Sequence, residues 1–424
     1  MSTHVAAPTL DGFEPFSPEY LKDPPAALQD LMRETPVGFH PPLGAYVVMR
    51  YDDMRAVIND FETFSSNAYK ALPIGADLRD RVPEEYERAA QVIIGTMALI
   101  LDPPAHTVQR KAQQRTFTRP RIAAAADDIE AKANALIDAF VDEGSCDLLQ
   151  DFAYQLTLSV VGDLIGLPRD QLPGFHAWIG DVFGLMAPID AEPGQLTRPE
   201  EEVVAAYQRM HGAYTTYLEM VAERRRNPGD DVTSALLQLT DDAGAPLLSD
   251  EAVLSHMVGI TVAGTDTTAN LIASVVRQLT ADPGLLAEVR ADESLWTNLV
   301  EEGLRRTGIA IHLFRRTTRD TEVRGVPIPA GSMVCLPLSG ANTDPDKFPD
   351  PLAFDIHRPN LSEHMAFGLG RHFCLGAPLA RPEAAIALQT LYRRLPSLKA
   401  DLDQELEFIP ALTVRGVLHQ RVTW

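Results

Sequence analysis

Cysteine is scarce in this chain of 424 residues, which contains only Cys146, Cys335 and Cys374. No two of them have the spacing of a zinc finger, and an odd number argues against a framework of disulfides. The sequence therefore excludes a disulfide-rich scaffold and a zinc module, and it favours a reducing compartment.

Long apolar runs are also missing, since no stretch approaches the ~20 apolar residues that a transmembrane helix needs. The first 20 residues lack the basic and apolar regions of a secretory signal peptide. We therefore predict a soluble, cytoplasmic protein without a membrane anchor. A monomer is the simplest expectation for its oligomeric state.

Positive charge is in short supply, because 37 Lys and Arg residues stand against 59 Asp and Glu residues and leave a formal net charge of −22. A surface of this sign repels the phosphates of nucleic acids and anionic membranes. Hydrophobic residues are 45% and charged residues 23% of the chain, which is typical of a globular protein. We therefore predict a globular protein that binds no nucleic acid.

The chain has no internal repeats and no low-complexity linker, and helical patterns dominate it. Apolar periodicity predicts helices over 123–140, 200–225 and 249–281, and β-rich runs occur at 45–49, 323–338 and 422–424. A large helical body with a small sheet drawn from distant segments favours one domain. We predict a mainly α fold with a small β-sheet subdomain over residues 1–424, in which residues 1–20 form an extended segment.

One cysteine has an informative setting, in the stretch from Phe367 to Gly376 that reads Phe-Gly-Leu-Gly-Arg-His-Phe-Cys-Leu-Gly. Cys374 comes at the exit of this glycine-rich loop, just before a segment rich in alanine and leucine. The positive end of a helix stabilises a thiolate, which is the form of cysteine that binds a metal. Glycines such as Gly368 let the backbone approach a flat, bulky group, and a single thiolate is one way of holding haem iron.

This pattern resembles the haem-binding loop of the cytochrome P450 family, and the resemblance extends over nearly the whole chain. It implies the single-domain cytochrome P450 fold, a triangular helical prism with haem between the long central helix and the proximal helix. It also implies haem b (iron protoporphyrin IX) with Cys374 as axial thiolate, and O2 as co-substrate. Phe367, Gly368 and Gly376 would contact the haem. Without an N-terminal apolar helix, the chain is similar to the soluble bacterial members.

The long helix predicted from the N-cap Ser249 to residue 281 contains the weak helix sequence Ala-Gly-Thr-Asp-Thr-Thr, which begins at Ala263. Ala263 and Gly264 lack bulk, so a diatomic ligand has room against the backbone. Thr267 can bond to the carbonyl of Ala263 or turn toward a ligand. The acid–alcohol pair matches the family's oxygen-activation motif, and the resemblance implies that Asp266 and Thr267 deliver protons and that Ala263 and Gly264 contact haem.

Cationic residues at four places match the family's partners for the haem propionates. Two of them, His106 and Arg110, are four residues apart and so share one face of a predicted helix. Arg315 begins an Arg-x-x-Thr-x-Asp segment, and His372 lies in the cysteine loop. The resemblance implies that all four hold the haem carboxylates.

A Glu-x-x-Arg sequence at Glu302 and Arg305 resembles the family's structural ion pair, which Arg358 would complete from the loop before the haem segment. We expect this network to orient the loop that carries Cys374. The segment rich in alanine and leucine after Cys374 is the predicted proximal helix, and Pro382 lies beyond its first turn. Proline at such a position removes a hydrogen bond and clashes with the preceding turn. We therefore predict a kink or local bulge over residues 378–382.

The substrate pocket implied by the resemblance is apolar and predicts a small or medium hydrophobic organic substrate. His312 is the polar member, and it is either a hydrogen-bond donor to a substrate oxygen or a core histidine with satisfied partners. The predicted lining residues are Val262, Ala263, Ile311, His312 and Leu412.

These features predict a haem-thiolate monooxygenase that hydroxylates, epoxidises or dealkylates its substrate. The resemblance implies that electrons come from a ferredoxin or flavodoxin with an NAD(P)H-dependent reductase, and Lys111, Arg115 and Arg371 would form a basic patch for an acidic donor. A peroxide-driven peroxygenase is the alternative within the same chemistry. A non-catalytic haem-thiolate gas or redox sensor is the alternative of another class, and a haem-free helical binding protein is disfavoured by the motifs.

Overall fold

A computed structural model of the chain describes residues 7–68, 82–95, 97–169, 172–185, 200–409 and 411–424, and most of these residues are helical. The described helices are α1 (Pro18–Lys22), α2 (Pro24–Ala27), α3 (Gln29–Glu34), α4 (Tyr51–Asn59), α5 (Glu84–Gly95), α6 (Ala105–Thr116), α7 (Arg119–Asp138), α8 (Tyr154–Ile165), α9 (Leu172–Leu185), α10 (Glu200–Arg226), α11 (Val232–Leu237), α12 (Asp250–Ala281), α13 (Pro283–Ala291), α14 (Leu295–Thr307), α15 (Leu338–Asn342) and α16 (Ala377–Arg394).

The described strands are short and contribute to three small sheets. They are β1 (Val37–His40), β2 (Ala45–Val48), β3 (Phe64–Ser65), β4 (Ser145–Asp147), β5 (His312–Thr317), β6 (Thr321–Val323), β7 (Val326–Ile328), β8 (Met333–Pro337), β9 (Lys399–Ala400) and β10 (Arg421–Thr423). The predicted fold class, mainly α with small sheets, is therefore confirmed.

The chain forms two compact units, and each draws on several segments. The first unit comprises Met1–Pro73, Glu301–Cys374 and Pro410–Arg415. The second comprises Ile74–Val300, Leu375–Ile409 and Gly416–Trp424.

The first unit is built on a five-stranded sheet in the order β1-β2-β8-β5-β3, in which only the β2–β8 pair is parallel. Apolar residues of β2, β8, α4 and α15 form its core, with Phe348 fully buried among them. A separate hairpin joins β6 and β7 through Arg324 and Gly325, which both have positive φ. This is the two-residue turn whose twist matches that of antiparallel strands.

The second unit is helical around α12, which has 32 residues and is therefore about 48 Å long. The Ser249 side chain accepts the N–H of Ala252 and caps the helix as predicted. α8, α10 and α16 pack against α12, while α7 packs against α16 and α8. A three-stranded antiparallel sheet in the order β4-β10-β9 completes this unit.

The predicted helices over 123–140, 200–225 and 249–281 are confirmed as α7, α10 and α12, and the predicted strand at 45–49 is β2. Of the predicted extended segment 1–20, residues 1–6 lie outside the described part of the chain. Thr9 bridges Phe39 at the edge of β1, and α1 already begins at Pro18. None of the described helices is both long and apolar enough to cross a membrane.

The predicted bulge at Pro382 is absent, because α16 continues without interruption from Ala377 to Arg394. Proline is tolerated here because Pro378, whose carbonyl loses its donor, is an exposed residue that water can hydrate. The amides of Leu379 and Ala380 both bond to the carbonyl of Gly376, so the first turn forms without Pro382. A bend of the helix axis at this point stays a prediction.

Candidate active site

Cys374 lies in a loop between a short 3-10 turn and the start of α16. Its backbone N–H donates a 2.9 Å hydrogen bond to the carbonyl of Phe367, which closes the loop into a compact turn. Gly368 and Gly370 have φ values of +65° and +63°, which other residues adopt only with strain. A Cβ at position 370 would also lie 2.8 Å from Asn59 Oδ1. The backbone conformation of the loop therefore requires glycine at positions 368 and 370.

The three cysteines differ in their surroundings. Cys335 is fully buried in β8, and burial raises the pKa of its thiol well above the ordinary value. Burial and the carboxylates of Asp151 and Asp147 raise the pKa of Cys146 to about 12. Cys374 is half-buried and precedes the N-terminus of an 18-residue helix. Cys374 therefore has the setting that best suits a metal-binding thiolate.

Every residue of the cysteine loop is at least partly exposed. Met365 and Ala377 have no exposed surface, whereas residues 366–376 between them are half-buried or exposed. Phe373 exposes 38% of its surface, which is unusual for an aromatic side chain. A thiol, glycines and aromatic rings on one uncovered loop fit a flat apolar macrocycle held by a thiolate, so these residues are compatible with haem.

Two predicted propionate partners lie in the first unit. Arg315, in β5, is 2% exposed and donates from Nη1 to the carbonyl of Phe314 at 2.8 Å. His372 follows in the cysteine loop, where its Nε2 lies 3.0 Å from the hydroxyl of Ser66. A guanidinium in this position can pair with a carboxylate through two parallel hydrogen bonds.

The other two predicted partners, His106 and Arg110, lie one turn apart on α6, as their spacing predicts. His106 is buried and Arg110 is half-buried. The same helix face continues to Gln113, whose amide lies 2.9 Å from His256 Nδ1 in α12. The side-chain pair ties α6 to the central helix and limits how far His106 and Arg110 can shift.

The centre of α12 opens on one side. Ile260 and Thr267 are half-buried and Ala263 is exposed, at spacings of three and four residues on a helix that is otherwise mostly buried. The Thr267 hydroxyl donates a 2.7 Å hydrogen bond to the carbonyl of Ala263. The predicted back-bond of Thr267 is therefore present, and the small side chain of Ala263 leaves the helix surface accessible.

Gly264 has a packing role that the sequence did not indicate. A Cβ at this position would lie 2.7 Å from Val161 Cγ2 in α8. Gly264 is therefore required by the close packing of α8 against α12. Its predicted contact with haem stays a prediction, because Val161 occupies only the side on which a Cβ would lie and Gly264 is half-buried.

Asp266 is 2% exposed, and its Oδ2 makes no hydrogen bond within the described part of the chain. Burial raises the pKa of this carboxyl to about 7. The backbone around it is held by Asn270, whose amide N–H donates to the carbonyl of Asp266 at 3.0 Å and whose Oδ1 accepts the N–H of Val417 at 2.7 Å. A carboxyl with this pKa can both hold and release a proton near neutral pH.

The predicted ion network is present in the first unit and is fully buried. Arg305 donates from Nε and Nη2 to the two carboxylate oxygens of Glu302, each at 2.7 Å. Arg358 donates to the same carboxylate at 3.1 Å, and the N–H of Asp355 donates to it at 2.8 Å. The remaining N–H groups of Arg305 bond to backbone carbonyls, including that of Asn342. These contacts hold the loop that leads to Cys374.

Part of the predicted pocket is packed into the protein. His312 is 1% exposed, and its ring nitrogens lie 2.8 Å from the Tyr20 hydroxyl and 2.7 Å from the carbonyl of Leu412. Burial lowers the pKa of His312 to about 4, so the ring stays neutral. His312 is therefore a core histidine, and the prediction that it contacts substrate is corrected.

Ile311 and Leu412 are likewise buried completely, so their predicted contact with substrate is not supported, and Val262 is 6% exposed. Ala263 alone of the five predicted lining residues is exposed. Three residues next to these buried ones in the chain are half-buried instead. These half-buried neighbours are Ala310, Leu313 and Thr413.

Sequence patterns did not indicate Ser66 or Asn270. Ser66 reaches His372 across 306 positions of the chain, and no local signal marks such a contact. Asn270 is a buried amide in an apolar stretch of α12, and an amide there signals that backbone groups need partners.

Comparison with known proteins places this geometry in a family. The family model described as Cytochrome P450 matches residues 75–409. The chain is 34% identical to cytochrome P450 monooxygenase PikC of Streptomyces venezuelae, with 89% of this chain and 85% of that protein covered. It is also 34% identical to 6-deoxyerythronolide B hydroxylase of Saccharopolyspora erythraea, with 93% of each chain covered.

Solved structures of cytochromes P450 have a similar fold. The structure of cytochrome P450 CREJ in complex with (4-ethylphenyl) dihydrogen phosphate is similar with a TM-score of 0.85 and 29% identity, covering 97% of this chain and 99% of that one. Family membership implies a haem-thiolate cofactor. The chain therefore belongs to the cytochrome P450 family and is an oxidoreductase of the monooxygenase type.

Proposed function

We propose that this chain inserts one atom of O2 into a hydrophobic organic molecule and that Cys374 is the axial ligand of haem b. Hydroxylation, epoxidation and dealkylation are outcomes of this one chemistry. The observation that carries the proposal is the buried carboxyl of Asp266, with a pKa raised to about 7, directly before the half-buried hydroxyl of Thr267 in α12. When bound, haem supplies the redox chemistry of oxygen activation.

Asp266 and Thr267 then supply the protons. Asp266 is partly protonated near neutral pH, so it can give up a proton and be recharged without a large energetic cost. The Thr267 hydroxyl donates to the carbonyl of Ala263, which leaves its oxygen lone pairs as acceptors. The two residues thus offer a proton store and an adjacent hydroxyl that can pass a proton on.

The cationic residues hold the haem carboxylates in this proposal. Arg315 contributes a guanidinium from β5, and His372 lies in the cysteine loop itself. His106 and Arg110 contribute from one face of α6. Phe367, Gly368 and Gly376 contribute the loop surface beside the thiolate, and Ala263 contributes an exposed methyl on α12.

The electrons are proposed to come from a ferredoxin or flavodoxin with its NAD(P)H-dependent reductase. Once Cys374 holds haem, two cysteines remain in this sequence, which is too few for an iron–sulfur cluster held by four thiolates. Lys111 and Arg115 are exposed one turn apart on α6, and Arg371 is exposed in the cysteine loop. These are the residues that an acidic electron donor would contact.

The substrate is proposed to be a small or medium hydrophobic molecule. Ile260 and Ala263 present apolar side chains on the open side of α12. One relative is named as the hydroxylase of 6-deoxyerythronolide B, which is in keeping with an organic substrate.

We also propose that residues 1–424 act as one catalytic domain and as a cytoplasmic monomer. The match to the family model, over residues 75–409, draws on segments of both compact units.

The test is the difference spectrum of the dithionite-reduced protein with and without carbon monoxide. A Soret band near ~450 nm, the thiolate band, is characteristic of haem with a cysteine thiolate opposite carbon monoxide. We expect this band in the natural protein and in Cys146→Ser, and its loss in Cys374→Ser. A thiolate band that persists in Cys374→Ser, or protein that takes up no haem, contradicts the proposal.

A further inference from the structure

We propose that His364 is a positioning residue for the cysteine loop and that Glu301 holds its ring in a single tautomer. The inference rests on the proposed role of Cys374 as haem ligand. It concerns residues that the sequence motifs do not include, and all of them lie in the first unit.

His364 is 5% exposed and has a hydrogen-bond partner at each ring nitrogen. Its Nε2 lies 3.0 Å from Glu301 Oε2, on α14. Its Nδ1 accepts the backbone N–H of Ala366 at 3.2 Å. The ring therefore connects α14 directly to the start of the cysteine loop.

The chemistry of the two partners decides the tautomer. A backbone N–H can only donate, so Nδ1 must be the nitrogen with the lone pair. The proton of the neutral ring is then on Nε2, where it points to the carboxylate of Glu301. Because Glu301 fixes this proton, the acceptor that faces the N–H of Ala366 stays available.

The position of the ring is transmitted to Cys374 through Phe367. The ring centroids of His364 and Phe367 are 6.0 Å apart, and Phe367 directly follows Ala366. The carbonyl of Phe367 accepts the N–H of Cys374 at 2.9 Å. A shift of His364 would therefore displace the residue that closes the loop around the thiolate.

Two adjacent carboxylates of α14 hold the two ends of the segment before the cysteine loop. Glu302 accepts from Arg358 and from the N–H of Asp355 at the beginning of this segment. Glu301 accepts from His364 at its end. The first anchor belongs to the predicted ion network, and the second is the one that we add.

Two substitutions separate the contacts. In His364→Gln, the amide N–H can take the place of Nε2 toward Glu301, but no acceptor remains near the N–H of Ala366. In His364→Asn, the amide oxygen can take the place of Nδ1, but the donor to Glu301 is lost. His419→Gln is the matched control, because its amide replaces Nε2 and so removes the contact between Nδ1 of this exposed histidine and Asp147, which lies in the second unit.

The readouts are the share of carbon monoxide complex with the thiolate band, the rate of haem transfer to excess apomyoglobin, and the helical circular dichroism signal. We expect both His364 variants to lose part of the thiolate band, with absorbance moving to shorter wavelength, and to release haem about 10-fold faster. His419→Gln should behave like the natural protein.

If the natural protein shows the thiolate band and both His364 variants keep the same band and the same rate of haem release, this inference is overturned and the proposed function stands. Loss of the thiolate band in proportion to lost helical signal in both variants also overturns it, because His364 then supports the fold as a whole. If the natural protein lacks the thiolate band, the proposed function itself is overturned, and the inference loses its basis.

Discussion

The hydroxyl of Thr267 donates a 2.7 Å hydrogen bond to the carbonyl of Ala263, one turn earlier in α12. Thr265 makes the corresponding bond to Thr261 at 2.8 Å, but its side chain is fully buried, whereas Thr267 is half-buried. Two threonines with the same backbone contact therefore differ in whether a ligand can reach them, and they form a natural pair for mutagenesis.

Thr267→Ala should lower product formation about 100-fold, because it removes the hydroxyl that passes protons on. Consumption of reductant should continue, with the electrons appearing as hydrogen peroxide. The measurement is the ratio of product formed to NAD(P)H consumed with any substrate that gives turnover. In Thr265→Ala this ratio should stay at the natural value, and an equal fall in both variants would argue for a helix distortion.

Asp266→Asn should stabilise the protein at pH 8 and have much less effect at pH 5. Burial raises the folded-state pKa of Asp266 to about 7, above its ordinary value of 3.8. The folded state then binds more protons than the unfolded state between these values, so stability falls as pH rises from about 4 to about 7. The full cost, roughly 4 kcal/mol, is present only above the folded-state pKa.

The measurement for Asp266 is the melting temperature of the variant and of the natural protein from pH 5 to pH 8. Their difference should grow with pH in favour of the variant. A difference that is the same at both ends of this range would show that Asp266 titrates as an ordinary carboxyl.

Glu302→Ala should lower the free energy of unfolding by about 3–5 kcal/mol, because it leaves Arg305 and Arg358 buried without their carboxylate. The control is Glu223→Ala, which removes the same Glu-x-x-Arg spacing with Arg226 from the exposed end of α10. Loss of that exposed pair should lower the free energy of unfolding far less. Urea unfolding of each variant measures both values, and similar losses would contradict the assignment of a buried structural network.

Lys111→Glu combined with Arg115→Glu should slow the first reduction step about 10-fold at low ionic strength and weaken its dependence on salt. Both side chains are exposed on α6, so the change reverses charge without disturbing the core. Stopped-flow reduction by an acidic ferredoxin measures the effect. Lys399→Glu, an exposed charge reversal in β9, should leave the rate unchanged. It changes the net charge by half as much, so slowing in that proportion would indicate a mere effect of net charge.

Some features of the fold were predictable because their causes are local. The N-cap at Ser249 and the end of α12 at Ala281 follow from capping chemistry and apolar periodicity within a few residues. The strand β5 was missed, since it contains Arg315 and Arg316 and has no simple alternation. It forms a strand because β8 and β3 pair with it on both sides.

The candidate site shows the same division. The cysteine loop, the acid–alcohol pair and the Glu302–Arg305 pair are continuous or closely spaced motifs, and the sequence indicated all of them. The predicted lining residues of the pocket were less accurate. Whether Ile311 or its neighbour Ala310 is exposed depends on the side of the backbone that faces the core. Spacing along the chain does not determine that side.

The sequence by itself determined the family, the identity of the thiolate candidate and the positions of the main helices, since each depends on interactions between residues near one another in the chain. Only the tertiary structure decided that Gly264 is needed for packing against Val161, that His312 is a core histidine and that Glu301 holds His364. These roles depend on side chains brought together from distant segments. Burial and hydrogen bonding, which set the pKa of His312 and the exposure of all these residues, exist only after that packing has formed.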